Sequence, residues 1–356
     1  MPPIDIILWG ATGFTGQLVA QSISQHAPAG LKWAIGGRDL HRLERVNRSL
    51  REPVEVVIAD SLDLPSLTRM VQKARVIIST VGPFEHFGTP LVEACVEQGV
   101  DYCDITGEAV WIRTMIDRFH TKAQKSGARI VHACGFDSIP SDIGVFALHR
   151  FMLDTTDKPL DRAKLYVLNL RGKPSGGTAA SLLNHLQAMQ DQDVRQIVND
   201  PYSLNPQGQR QGSDSGEQTI AHFDPVINQW TAPFIMAGIN SKIVRRSNAL
   251  LDNPYGKEFR YTEVSACSSF AKAQSLSLAL RILGKWGHLR AFDYVLKEIL
   301  PRPGQGPTPA QRQQGGFHFR LVGHTKGKNP QAAFCDIKGS IDPGYDETAK
   351  MLSQTA

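Results

Sequence analysis

Gly10-Ala11-Thr12-Gly13-Phe14-Thr15-Gly16 lies between an apolar run, residues 4–9, and a stretch of helical character, residues 17–25. A strand that passes through a glycine loop into a helix is the opening turn of a dinucleotide-binding βαβ unit, and each glycine there has its own task. Gly10 permits the tight turn, Gly13 lets backbone approach a pyrophosphate, and Gly16 lets the helix pack close to the strand. The helix start then turns free N–H groups and a positive dipole end toward the phosphates. Any strand-to-helix turn can carry glycines, so the flanking pattern has to decide.

That pattern repeats. Residues 32–35, 54–59, 76–81, 102–105 and 130–133 read as further strands, with helices over residues 40–50, 64–74 and 91–98 between them. Leu40, Leu43, Val46 and Leu50 share one helix face, and Pro90 opens the helix of residues 91–98. The β-branched runs suit strands buried on both faces of a parallel sheet. The expected fold class is therefore α/β, a doubly wound parallel Rossmann sheet over residues 1–150. Its chain is expected to end near residues 144–151.

Beyond residue 161 the rhythm changes. Residues 164–170, 259–266, 317–324 and 332–341 read as strands, the last two joined by a hairpin through residues 326–329, and residues 181–189 and 273–299 read as helices. A second α+β domain on a mainly antiparallel sheet is expected over residues 151–345, followed by a C-terminal helix, residues 346–356, that returns to the first domain. Residues 199–217 and 301–316 are loop-like; the first is expected to be a surface insertion rather than a mobile lid.

Composition excludes several classes. The 356 residues, 41% hydrophobic and 21% charged, describe a soluble globular chain long enough for two cores, and the net charge of +5 is too dispersed for a nucleic-acid binder. Cys95, Cys103, Cys134, Cys267 and Cys335 form no Cys-x-x-Cys pair, which argues for reduced thiols in a cytoplasmic protein and against a metal site. No basic-then-apolar leader and no run long enough to span a bilayer are seen. Leu276, Leu278, Leu280, Ile282, Leu283, Trp286 and Leu289 make a broad apolar face on the helix of residues 273–299. A core role is preferred for it over peripheral contact with lipid.

The second strand runs into Gly36-Gly37-Arg38, where an NAD-specific fold places an acid for the ribose 2′-hydroxyl. A guanidinium there pairs instead with a 2′-phosphate, so NADP(H) is the expected cofactor. The expected binding set is Gly10, Thr12, Gly13, Phe14, Thr15, Gly16, Arg38, Asp60 beside the adenine, and Gly82 and Pro83 beside the nicotinamide ribose. Asp39 and Asp60 could equally cap helices. None of the seven tyrosines has a lysine four residues later, so the short-chain dehydrogenase proton relay is absent. The candidates for proton transfer and carbonyl orientation are Tyr102, Asp104 and Glu108 after the fifth strand, and Asp137 and Ser138 after the sixth, at strand ends where open α/β sheets bind ligands. For each of them a helix-capping role stays open.

Gly10 to Gly16, Gly37-Arg38, Gly82-Pro83-Phe84, Tyr102-x-Asp104-x-Thr106-Gly107-Glu108 and Gly135-Phe136-Asp137-Ser138-Ile139-Pro140-Ser141-Asp142, in this order, resemble the saccharopine dehydrogenase-like oxidoreductases. Within that group the likeness is to trans-acting enoyl reductases that work beside polyketide synthases. It continues thinly through Ser175-Gly176-Gly177-Thr178, Gly304-x-Gly306-Pro307 with Arg312, and Asp342-Pro343-Gly344-Tyr345. The resemblance implies hydride delivery from NADPH to the β-carbon of an α,β-unsaturated acyl thioester, with carrier-bound substrate and a synthase as partner. It also implies a longer tail than the helix of residues 346–352, whose absence is expected to uncover apolar surface. Two other functions remain open: imine or ketone reduction on a small metabolite, and a non-catalytic NADP-binding protein at lipid surfaces.

Overall fold

Strands β1 (Ile4–Trp9), β2 (Trp33–Gly37), β3 (Glu55–Ile58), β4 (Ala74–Ser79), β5 (Asp101–Asp104) and β6 (Ile130–Val131) form one all-parallel sheet in the order β3-β2-β1-β4-β5-β6. A computed structural model describes residues 3–173, 181, 183–184, 186–286 and 306–356. Helices α1 (Phe14–His26), α2 (Leu40–Arg48), α3 (Leu64–Val71), α4 (Phe84–Phe87), α5 (Thr89–Gln98) and α6 (Ala109–Ser126) connect these strands. Alternation in β1 explains the double winding. Ile7 and Trp9 enter the core shared with α3, α5 and α6, while Ile6 and Leu8 enter the core shared with α1 and α2. Both faces must therefore be covered by helices, and the sheet is a doubly wound one.

Helix α7 (Ile139–Thr156) leads out of this sheet and packs Val145, Leu148 and Met152 into a second core with Leu165, Phe319 and Leu321. That core lies on a sheet of β7 (Leu160–Arg171), β8 (His222–Asp224), β9 (Gln229–Pro233), β10 (Arg260–Cys267), β11 (Gly316–Thr325) and β12 (Ala332–Gly339), ordered β12-β11-β7-β10-β9-β8. Only β7 and β10 run parallel; the other pairings are antiparallel. The fold is thus a Rossmann sheet with a second α+β sheet. Helices α8 (Gln192–Asn199), α9 (Ala237–Leu250), α10 (Phe270–Trp286), α11 (Pro309–Gln313) and α12 (Thr348–Thr355) complete the described elements. Helix α10 packs on β9 and β10 through Ala273 and Ser277, leaving Leu278 and Trp286 exposed. The rest of the helix expected over residues 273–299, part of that over 181–189, and Ser175 to Thr178 lie outside the described residues. No helix among the described residues is long and apolar enough to cross a membrane, and no group of acids, histidines and cysteines there could hold a metal ion.

The sequence pattern gives no sign of α9 or of the β8–β9 hairpin, and the reason for α9 is physical. Helix α9 buries Asn240, Ser241, Lys242, Arg245 and Asn248 alongside Ala237, Ile239, Val244 and Ala249, so buried polar side chains interrupt the apolar face that periodicity would find. Its cations bind the segment of residues 200–217. Lys242 Nζ donates to the Asp200 carbonyl, Arg246 to the Leu204 carbonyl at 2.6 Å, and Arg245 to Asp214 at 2.8 Å and to the Tyr261 carbonyl. Arg113 of α6 reaches the Ser203 carbonyl at 2.6 Å, and Arg210 reaches Asp117. The first part of the segment, residues 200–205, is not the expected surface insertion but a brace between α6 and α9 with Tyr202 and Leu204 buried, while residues 207–209, 211–212 and 215–216 are exposed. Its backbone carbonyls are satisfied by cations contributed from distant parts of the chain.

Helix α12 returns to the first domain. Ala349 and Leu352 share a core with Val19, Ala20 and Ile23 of α1, and the hydroxyls of Ser22 and Ser353 lie 3.0 Å apart.

Arg245 is the keystone of the brace, and its loss leaves the largely enclosed Asp214 without its cation. We expect Arg245→Ala to cost about 3–5 kcal/mol of stability, the range for breaking a buried ion pair. Urea denaturation measures this, and a change under 1 kcal/mol would refute the assignment.

Candidate functional site

The cradle begins at Gly10, whose φ of +87° and crowded surroundings exclude a side chain: an added Cβ would lie 2.6 Å from Val81 Cγ2. A Cβ on Gly16 would lie 2.1 Å from the Gly10 carbonyl oxygen, so α1 meets the loop backbone to backbone. Gly13 is different. It caps α1 without any side-chain hydrogen bond, and its Cβ would only touch the Gly10 oxygen at 3.4 Å. Space and unfilled N–H groups therefore coincide at the start of α1, and a pyrophosphate fits them. Thr80 pins this loop to β4 by donating to the carbonyls of Trp9 and Gly10.

On the adenosine side, Asp39 is consumed as the cap of α2, accepting the Arg42 N–H at 3.0 Å. Arg38 is exposed and has no partner among the described residues. The Arg42 guanidinium donates to the Thr12 carbonyl at 3.2 Å, and with Arg45, Gln17 and Gln21 it lines a cavity of about 300 Å³ beside the loop. Sequence reasoning missed Arg42 and Arg45 because helical arginines usually read as a solvated face. Asp60 Oδ1 accepts the Leu62 N–H, a turn preceding α3.

At the end of β4, Gly82 and Pro83 lead into α4, whose N-terminus is held by Glu108. Its two carboxylate oxygens accept the N–H groups of Phe84 and Glu85, and Ser181 donates to it as well. Tyr102 and Asp104 are brought together, but inward. The buried Asp104 accepts from the Tyr102 hydroxyl at 3.0 Å, from the N–H groups of Thr106 and Ala133, and lies 2.7 Å from His132 Nδ1. This carboxylate staples the ends of β5 and β6 and holds Ala133 at φ +61°, a conformation that costs an alanine about 1–2 kcal/mol. His132 is the member of the cluster that sequence reasoning missed.

Asp137 stands apart. It is half-buried, has no hydrogen-bond or ion-pair partner among the described residues, and burial pushes its carboxyl up to about 6. Ser138, one residue on, faces the other domain: its hydroxyl donates to Asn240 Oδ1, and Asn240 donates to Glu263. Ser141 and Tyr261 also donate to Glu263. This fully buried carboxyl, with no cation as partner, is raised to about 7 by burial.

Of the thin motifs of the second half, the described residues Gly306, Arg312 and Tyr345 converge on the glycine loop, while Gly304 lies outside the described residues. Tyr345 meets the Phe14 ring edge to face at 5.1 Å, Arg312 lies 5.8 Å from the same ring, and Gly306 presses against it. Arg312 in turn binds Asp346 at 2.8 Å and the Pro307 carbonyl. Thr348 accepts the Phe136 N–H, tying the Asp137 loop to the same segment.

The chain is similar to known proteins over nearly its whole length. Residues 6–131 match the saccharopine dehydrogenase NADP binding domain. Trans-acting enoyl reductases of Mycobacterium ulcerans and Mycobacterium bovis are 34% and 33% identical to the chain, each over 99% of it and 87% of the relative. A Mycobacterium tuberculosis protein that bears the same name provisionally is 37% identical over 98% of the chain and 87% of its own length. The chain belongs to the saccharopine dehydrogenase-like oxidoreductases. It is an NADP-dependent oxidoreductase of that family. The fold agrees: the L-Glu-forming saccharopine dehydrogenase of Saccharomyces cerevisiae superposes with a TM-score of 0.51 over 98% of the chain and 88% of the yeast one, at 10% identity.

Two pairs of outcomes test the cradle. Gly13→Val is expected to fold normally and weaken NADPH and NADH alike, whereas Gly16→Val is expected to lower the melting temperature because its side chain meets backbone. Arg38→Ala is expected to weaken NADPH alone, by about 1.5–3 kcal/mol for a charged hydrogen bond. Fluorescence titration reads the affinities, and equal losses for the two cofactors in Arg38→Ala would remove the 2′-phosphate role.

Glu263 generates a pH dependence. Its carboxyl is raised from 4.5 to about 7, so the folded chain keeps a proton that the unfolded chain has lost. That contribution is complete below pH 4.5 and disappears as pH rises through 7. Melting temperatures are expected to fall over this window, and Glu263→Gln to flatten the fall. An unchanged slope in the variant would exclude Glu263 as its source.

Proposed function

We propose that this oxidoreductase is a trans-acting enoyl reductase of the cytoplasm, reducing an α,β-unsaturated, polyketide-type acyl thioester presented by a carrier or synthase partner. The relatives' names support the reaction class. The observation that carries the chemistry is Asp137, a carboxyl without a partner among the described residues, raised to about 6 by burial at the carboxyl edge of the parallel sheet. Bound NADPH supplies a hydride for the β-carbon, and the remaining requirement is a proton for the α-carbon. Asp137 is the donor in this reading, since a carboxylic acid near 6 is still partly protonated at neutral pH.

The other candidates take supporting roles. Gly10, Thr12, Gly13, Phe14, Thr15 and Gly16 hold the pyrophosphate, with α1 as the positive end. Arg38, with Arg42 beside it, takes the 2′-phosphate, and Asp60 borders the adenine. Glu108 acts through backbone: by capping α4 it fixes the turn at Gly82 and Pro83 that borders the nicotinamide ribose. Tyr102 and Asp104 fix the ends of β5 and β6, and Ser138 anchors the Asp137 loop to Asn240 in the second domain. They are positioning residues in this scheme, while Asp137 is the catalytic one.

Anaerobic NADPH oxidation with enoyl thioesters, 2-ketones and cyclic imines tests the proposal. Turnover of enoyl thioesters is expected; turnover of imines alone, or saturable NADPH binding without turnover, would overturn it. Asp137→Asn is expected to lower kcat by about 10²-fold, the lower end for acid catalysis, without changing NADPH affinity. It should also remove the decline of kcat above pH 6, which reports loss of the acidic proton. A variant that keeps that decline would assign the proton to another group.

A further inference from the structure

We infer that the face of the second sheet turned away from α7 holds an anion site for a phosphorylated ligand. The site is separate from the cofactor loop and does not depend on the reaction proposed above. Register places the key residues in one row: Arg162 of β7 is opposite Arg260 of β10 on one side and opposite His324 of β11 on the other. Directly paired residues of neighbouring strands share a face, and all three line one cavity of about 450 Å³. That volume lies in the range of small-molecule sites.

Like charges placed opposite one another across strands are destabilising, and nothing described in the chain offsets them. Neither Arg162 nor Arg260 has a carboxylate partner among the described residues. The two acids of the cavity wall are committed elsewhere. Asp224 binds Lys164 at 2.7 Å and the Tyr166 hydroxyl at 3.0 Å, and Asp214 binds Arg245 and the Tyr261 N–H. Elsewhere in the same sheet cations are neutralised, as where Arg320 forks onto Asp336 at 2.8 and 2.9 Å. The row therefore concentrates uncompensated positive charge beside a cavity. Ser215 in the wall adds a hydroxyl with no partner among the described residues. Two forked guanidinium groups side by side suit a phosphate or diphosphate, whose oxygens accept paired N–H bonds.

Isothermal titration calorimetry of the full chain with inorganic pyrophosphate, in the presence of saturating NADPH, tests the site. Saturable binding is expected, weakened at least tenfold in Arg162→Ala and in Arg260→Ala, with NADPH affinity unchanged in both. Removing either arginine relieves repulsion, so each variant is expected to melt at or above the parental temperature. Absence of binding when NADPH occupies the cofactor loop, or undiminished binding in both variants, would overturn the inference. A drop of several degrees in melting temperature would overturn it too, because the row would then be structural. Coenzyme A in place of pyrophosphate separates the sources of the phosphate. Tighter binding of coenzyme A would assign the site to the phosphorylated handle of a thioester, and equal binding to a free phosphate compound.

Discussion

The approach of α1 to the glycine loop is the constraint on which the rest of the site depends. The Gly10 carbonyl oxygen occupies the place that a Cβ on residue 16 would need, so the helix start and the loop behave as one rigid corner. That corner holds unfilled N–H groups at the start of α1. Phe14 then projects from it toward the second half of the chain, where Tyr345, Arg312 and Gly306 close around its ring. The corner is thus closed by residues some three hundred positions away in sequence.

The same clasp makes the two sheets mechanically continuous. Thr348 holds the Asp137 loop from one side, while Ser138 and Ser141 reach Asn240 and Glu263 from the other. The interface thus contains a buried carboxyl satisfied by three neutral donors and no cation. Such a network is costly to ionise and specific in geometry, because each donor has one acceptor in reach. Through Ser138 it anchors the loop of Asp137, a carboxyl that no other group among the described residues claims.

Buried cations perform the equivalent task for the segment of residues 200–217. Arg113, Lys242, Arg245 and Arg246 satisfy carbonyls and carboxylates that would otherwise be buried unpaired. Charged residues that composition counts as surface are here internal scaffolding. The unpaired row on the second sheet is the converse case, with positive charge left uncompensated beside open space.

Much of the fold was legible in the chain because it is local. Continuous apolar and β-branched runs in residues 4–9 and 76–81 require strands buried on both faces, and three glycines in seven residues specify the corner that follows the first. Strand ends drifted by one or two residues in the first sheet and by four at the start of β7, and β6 stops at Val131 because Ala133 turns away under the hold of Asp104. The candidate site was legible as residue types and strand ends, but the roles were not. Glu108, Asp104 and Asp137 look alike in sequence, and tertiary structure made the first a cap, the second a staple and the third a free, half-buried acid. Helix α9 and the brace were illegible because polar side chains make up much of what they bury, and only their distant partners make that burial tolerable. The sequence by itself determined the parallel sheet, the glycine corner and the preference for a 2′-phosphate. Which carboxyl is free, which cations are internal and what closes over Phe14 were decided by the tertiary structure, since each depends on desolvation and on partners that no local pattern contains.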